Sequence, residues 1–125
     1  MARNIIDLPT LGDDGKLYRD TAVDMVESLI PNPWESCHAP DLLELENGDL
    51  LCCWFAGSRE GNADISIAVA RLPADAEQWE QPVIVSDDPT RSEQNPSLFQ
   101  NPNGDIWLMY TAQAAKKPKR RSEEA

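Results

Sequence analysis

The sequence predicts an all-β fold built from repeated four-stranded antiparallel units, and three observations carry that prediction. First, "APDLLELENGDLLCCWFAG" (39–57) lies over "NPSLFQNPNGDIWLMYTAQ" (95–113) without a gap, at a constant offset of 56 residues. Pro40 falls on Pro96, Leu42 on Leu98, Leu43 on Phe99, Leu50 on Ile106, Trp54 on Tyr110 and Ala56 on Ala112. Second, each copy centres on Asn-Gly-Asp (Asn47-Gly48-Asp49 and Asn103-Gly104-Asp105) between two apolar runs. Asn-Gly in that setting is a strong hairpin signal, because a type I′ turn needs positive φ at both central residues. Third, "DISIAVARL" and "WEQPVIVS" read as two more strands between the copies. Four antiparallel strands recurring every ~40–50 residues is the pattern of a propeller blade.

The elements follow in chain order. Residues 22–30, "AVDMVESLI", alternate well enough for a strand that closes a ring from the N-terminal side. A short amphipathic helix is the alternative, since Ala22, Met25, Leu29 and Ile30 also fit one face. Strands are expected at 39–45, 50–56, 64–71 and 83–86. The runs "LLCCWF" and "IWLMY" are too short for an ordinary helix and rich in strand-favouring residues. Such continuous apolar runs suit strands buried on both faces. Pro82 fits an outer edge strand, where no ladder donor is needed. The aspartates of the Asn-Gly-Asp turns read as turn-formers.

This accounts for one blade and half of a second. Propellers close with about 4–8 blades, so the chain is expected to hold only part of one, to be inactive by itself and to be marginally stable. Three regions are expected: an N-terminal segment at 1–30, truncated blades at 31–113, and a polar tail at 114–125. The tail carries five basic residues in "KKPKRR" (Lys116–Arg121), which reads as a nuclear-type signal or as a solvated, disordered tail.

Composition narrows the function classes. The formal net charge is −11, from 22 acidic and 11 basic residues. Phosphate binding needs a positive footprint, so neither a nucleic acid nor an anionic membrane is the expected partner. Three cysteines, two of them adjacent, form neither a disulfide framework nor a zinc spacing. Cys52 and Cys53 point to opposite faces of a strand and read as small apolar fillers. The stretch "MARNIIDLPT" has no apolar run of signal-peptide length, which gives a cytoplasmic expectation. No phosphate-cradling glycine loop, metal cluster or serine-nucleophile elbow is present, so no cofactor and no metal are expected.

The phrases "SCHAPDLLELENGDLLCCWFAGSREG", "DISIAVARL" and "TRSEQNPSLFQNPNGDIWLMYTAQ" resemble the BNR-repeat, sialidase-like (neuraminidase-like) propeller proteins over about residues 30–113. Within that group the chain is most similar to the branch of propeller enzymes that act on rhamnose–glucuronate linkages, as lyases or rhamnosidases. The resemblance implies a six- or seven-bladed parent with its active site at one mouth of the central channel. It also implies glycosidic-bond cleavage in acidic glycans containing uronate or sialate. The Asp-box of the family, Ser-x-Asp-x-Gly-x-x-Trp, is degenerate here. The turn reads "PADAEQW", with Asp75 four residues before Trp79 and no glycine. The carboxylate-binding arginine set of true sialidases has no early Arg-Ile-Pro counterpart, so sialic-acid hydrolysis is not written in these residues.

Six residues are candidates for the chemistry. His38, the sole histidine, lies ahead of the innermost strand, where it can move a proton near neutral pH. The alternative is a structural histidine bonded to a loop carbonyl. Arg59 and Glu60 lie in a loop bracketed by Gly57 and Gly61, where an arginine can hold a carboxylate in fork geometry or simply form a surface ion pair. Arg91 and Gln94 lie in "TRSEQNP", ahead of the next innermost strand, and Gln94 falls on His38 at the repeat offset. Two successive blades would then present polar groups to one mouth, unless the stretch only caps the loop before Pro96. Tyr110, the counterpart of Trp54, is either a blade-packing aromatic or an acid/base facing the channel. The expected partner is an acidic oligosaccharide or polysaccharide. A non-catalytic propeller binding a glycan or a protein through the same mouth is the alternative.

Overall fold

The computed structural model describes residues 5–8 and 11–116, and among these it is all β, with no helix. Nine strands form three open sheets. A small N-terminal sheet has the order β1 (Ile6–Asp7), β2 (Tyr18–Asp20), β3 (Met25–Glu27). The first blade has the order β4 (Ser36–Glu44), β5 (Leu50–Gly57), β6 (Ser66–Leu72), β7 (Val83–Ile84), all antiparallel. The second is the hairpin of β8 (Arg91–Gln100) and β9 (Ile106–Ala114). None of the sheets closes on itself, which is the arrangement of a partial propeller.

The repeat extends to the backbone. His38 pairs with Phe55 and Asp41 with Cys53, with a bulge between them. Gln94 pairs with Thr111 and Ser97 with Met109, again with a bulge between them. Each bulge holds one left-handed residue, Ala39 (φ 55°) in the first and Asn95 (φ 52°) in the second. These two positions are 56 residues apart, so both hairpins carry the same defect in the same place.

The hairpin turns also match one another, but they are not the expected type I′. Gly48 N–H donates to Leu45 O at 2.9 Å, and Leu45 N–H donates to Asp49 O at 2.8 Å. Gly104 and Asn101 repeat both bonds with Asp105 at 2.9 Å each. Only the glycines take positive φ, 91° and 95°, while Asn47 and Asn103 do not. This is a type I turn closed by a glycine bulge. The asparagines serve differently: each side-chain carbonyl accepts the N–H two residues on, at 2.9 Å for Asp49 and 3.1 Å for Asp105.

Alternation along β5 builds two cores. Leu51, Cys53 and Phe55 join Leu45, Ile65, Ile67 and Leu98 in one. Cys52, Trp54 and Ala56 join Ala68, Ala70, Leu72, Leu17 and Trp79 in the other. The first core is the seam between the blades, where β8 packs against β4, β5 and β6. The second is covered by the N-terminal segment through Leu17, Ile5, Ile30 and Trp34. A fully buried side chain of the size of Phe55, Ile65 or Ile67 contributes about 1.5–3 kcal/mol. The cysteines are the small apolar fillers expected, one in each core.

Several expectations are corrected. The stretch 22–30 forms a strand over Met25–Glu27 alone, exposed and paired antiparallel with β2, and no helix. The run "IWLMY" is not buried on both faces: β9 is exposed along most of its length, because only its Leu108 side meets a neighbouring core. Strands β4 and β8 begin earlier than expected and take in His38, Arg91 and Gln94, which the sequence placed in loops. Of the 114–125 tail, Ala114 ends β9 and Lys116 N–H donates to Gly61 O at 2.7 Å. Residues 117–125, with most of the basic run, lie outside the described residues.

Candidate functional site

The topology sets five of the six candidate residues towards one end of the two blades, with Tyr110 midway along β9 opposite the second bulge. The starts of β4 and β6 and the end of β5 lie together at that end. The second blade joins that end through Glu93 N–H to Ile65 O, 3.1 Å, and Lys116 N–H to Gly61 O. At the opposite end sit the two Asn-Gly-Asp turns, linked by Glu46 N–H to Gln100 Oε1 at 2.9 Å. Between the ends, Leu98 N–H donates to Asp41 Oδ2 at 2.8 Å and fixes β8 beside β4.

His38 is exposed on β4, and its ring lies 5.5 Å from that of Phe55. It stands on the rim of an open cavity of about 620 Å³ between the N-terminal segment and the first blade. Asp13, Ser28, Leu29, Ile30 and Asn32 supply one wall, and Cys37, Pro40, Cys52 and Trp54 the other. Asn32 Nδ2 donates to Cys37 Sγ at 3.0 Å. Trp34 meets Trp54 edge-on, with centroids 6.4 Å apart at 65°.

The other candidates do not line this cavity. Arg59 and Glu60 are exposed in the β5–β6 loop, where Asn62 N–H donates to Arg59 O at 3.1 Å. Arg91 is half-exposed, with its Nε 3.9 Å from Asp88 Oδ2 and NH1 donating to Ala112 O at 3.3 Å. Hydrogen bonds from Thr90 hold the Asp88 carboxyl below its ordinary range, so it stays ionised beside Arg91. Gln94 matches His38 in backbone position but not in presentation. Its amide is buried and donates to Ser92 Oγ at 2.8 Å. Burial, followed by the charge of and a hydrogen bond to Glu93, pushes the Tyr110 phenol above its ordinary range. Tyr110 is therefore a neutral donor at physiological pH.

Sequence reasoning placed Glu93 beside Arg91 and Gln94 but did not foresee its burial, and it missed Trp54 as a cavity wall and the N-terminal side chains Asp13, Ser28 and Asn32. Glu93 is 1% exposed, between the also buried Ser92 and Gln94. Nothing local marks it, because its burial comes from contact with another blade. The N-terminal residues stand outside the repeat, and only tertiary packing brings them to His38. No group of His, Cys, Asp and Glu suited to a metal ion occurs among the described residues.

A four-stranded antiparallel sheet followed by a second hairpin with the same turn and the same bulge, with no sheet closed, defines a propeller-type repeat protein. A family model described as a BNR repeat-like domain matches residues 48–124. The chain belongs to the BNR repeat-like family, within the sialidase-like superfamily in general. No curated protein and no solved structure matches the chain.

Proposed function

We propose that this chain carries part of the mouth of a sialidase-like propeller that acts on an acidic glycan, cleaving a glycosidic bond by lyase or hydrolase chemistry. One observation carries the reading. Two successive innermost strands set His38 and Gln94 directly before the same left-handed bulge, at the end where Arg59, Glu60 and Arg91 also lie. In this reading the exposed guanidiniums of Arg59 and Arg91 hold a uronate or sialate carboxylate. His38 moves the proton, and the neutral phenol of Tyr110 is the second acid/base. A lyase would use the arginines to neutralise the carboxylate while the proton beside it is removed. A hydrolase would use two acid/base groups flanking the bond.

Binding without cleavage is favoured by one specific observation: none of the other five candidates lines the cavity that His38 borders. Calorimetry with a glucuronate-containing disaccharide, combined with product analysis, separates the two. The enzyme reading expects Arg59→Ala and Arg91→Ala each to weaken binding about tenfold, as loss of a charge-assisted bond does. It also expects His38→Ala to leave affinity nearly intact while abolishing product in a whole propeller, since this chain is expected to be inactive by itself. Binding without product in the whole propeller supports the binding module. No arginine-dependent binding contradicts both.

A further inference from the structure

The seam between the two blades joins two sets of side chains. Leu43, Leu51 and Cys53 of the first blade share one core with Leu98 and Leu108 of the second. Moved forward by the repeat offset, the first set falls on Phe99, Trp107 and Met109. Moved back by the same offset, the second set falls on Leu42 and Cys52. Phe99, Trp107 and Met109 are exposed on the outer face of the second hairpin. Leu98 is 8% exposed in the seam, whereas Leu42 is 60% exposed. Leu42 and Cys52 form part of the wall of an open groove of about 520 Å³, together with Val26, Pro40 and Leu50. That groove runs between the N-terminal segment and the first blade. Each side of the molecule therefore carries one half of a seam, and the two halves are the complementary ones.

The sizes match as well. Trp107 is larger than its counterpart Leu51, and Cys52 is smaller than its counterpart Leu108, so the larger knob meets the roomier wall. Glu27 alone brings a charge to the described wall of the groove, so apolar burial supplies the attraction. We infer that one copy of the chain seats Phe99, Trp107 and Met109 in the groove at Leu42 of a second copy, head to tail. This contact repeats between copies the seam that joins the blades within one. Continuity with that seam is what selects a second copy as the occupant: the same two faces are already matched once in this chain. Because unlike faces meet, the contact is heterologous. It closes into a ring where the rotation per copy allows, and otherwise runs on as an open chain of copies. It does not depend on what the mouth of the blades binds.

Sedimentation velocity of the whole chain tests it, in salt that screens the net charge of −11. The unsubstituted chain is expected to associate with rising concentration. Trp107→Lys spoils the knob and Leu42→Lys spoils the groove, and each alone is expected to weaken association at least about tenfold. Both positions are exposed, so both variants are expected to keep the fold. Where circular dichroism shows that a lysine variant has lost its strands, Trp107→Gln or Leu42→Gln takes its place. An equimolar mixture of the two variants is the decisive sample. The intact knob of Leu42→Lys then meets the intact groove of Trp107→Lys, and a one-to-one pair is expected with nothing larger. If Leu42→Lys associates like the unsubstituted chain, the Trp107 faces pair with one another and the inference is overturned. A mixture no heavier than its parts overturns it too, as does an unsubstituted chain that stays monomeric up to about 1 mM.

Discussion

Cys52 and Cys53 are neighbours in sequence and lie in different cores, because a strand sends successive side chains to opposite faces. Burial pushes both thiols up to about 11. Cys37 is exposed. Alkylation of the native chain near pH 8 is therefore expected to label Cys37 alone, read by peptide mass spectrometry. The same shift sets a pH dependence. The thiols stay protonated in the folded state while the unfolded chain ionises near its ordinary value of 9.0. The unfolded state then binds fewer protons, so stability falls as pH rises from about 9 towards 11. Denaturant midpoints across that window check the sign. The paired turn aspartates give a second contrast. Asp49 accepts from the Arg71 guanidinium and from Ala74 N–H at 2.8 Å, and the Arg71 bond holds its carboxyl below the ordinary range. Asp105 is exposed and takes part only in its own turn. Asp49→Asn should lower the denaturant midpoint clearly, and Asp105→Asn should scarcely move it. The sequence shows both as turn residues; it does not show that Asp49 also anchors the β6–β7 turn, since that partner comes from a third strand.

At the level of elements, the repeat was readable because its hydrophobic pattern and its turn both have local causes. The turn class was not, since Asn-Gly suits either a type I′ turn or a type I turn closed by a glycine bulge. Gly104→Ala forces a side chain into φ 95° with open space around it, so it is expected to cost about 1–2 kcal/mol. Gly48→Ala should cost more, because its new Cβ would lie 3.2 Å from Ala74 Cβ. The strand bulges were half readable. Asn95 favours the left-handed region, but Ala39 does not, and its place there is imposed by the pairing around it. Ala39→Gly is therefore expected to stabilise by about 0.5–1 kcal/mol in chemical denaturation. The β4–β8 seam has one discrete anchor, Asp41 to Leu98 N–H. Asp41→Ala should loosen the second hairpin, seen as faster amide exchange along β8 and β9 with β5 and β6 still protected.

Across the whole molecule, each blade has two faces and uses them in a fixed sense. Leu51 and Cys53 of the first blade face the second; their counterparts at the repeat offset are Trp107 and Met109. Both are 51% exposed, and Phe99 stacks on Trp107 with centroids 5.7 Å apart. This is the face on which a next blade would pack, which is why β9 departs from the buried run its sequence suggests. An apolar face of this kind favours self-association. Trp107→Lys is expected to raise the concentration at which the chain associates, measured by sedimentation. The opposite face of the first blade is covered by the N-terminal segment, and there the cavity beside His38 arises. The repeat was legible without a structure, and so was the matching of His38 with Gln94 at the repeat offset. The cavity was not, because half of its wall lies outside the repeat. The central claim is that this end receives an acidic glycan. Amide and side-chain chemical shifts recorded during titration with a glucuronate-containing disaccharide test it most directly. The account predicts saturable shifts at His38, Arg59 and Arg91, with the Asn47-Gly48 and Asn103-Gly104 turns unmoved. Shifts confined to those turns, or none at all, would contradict it.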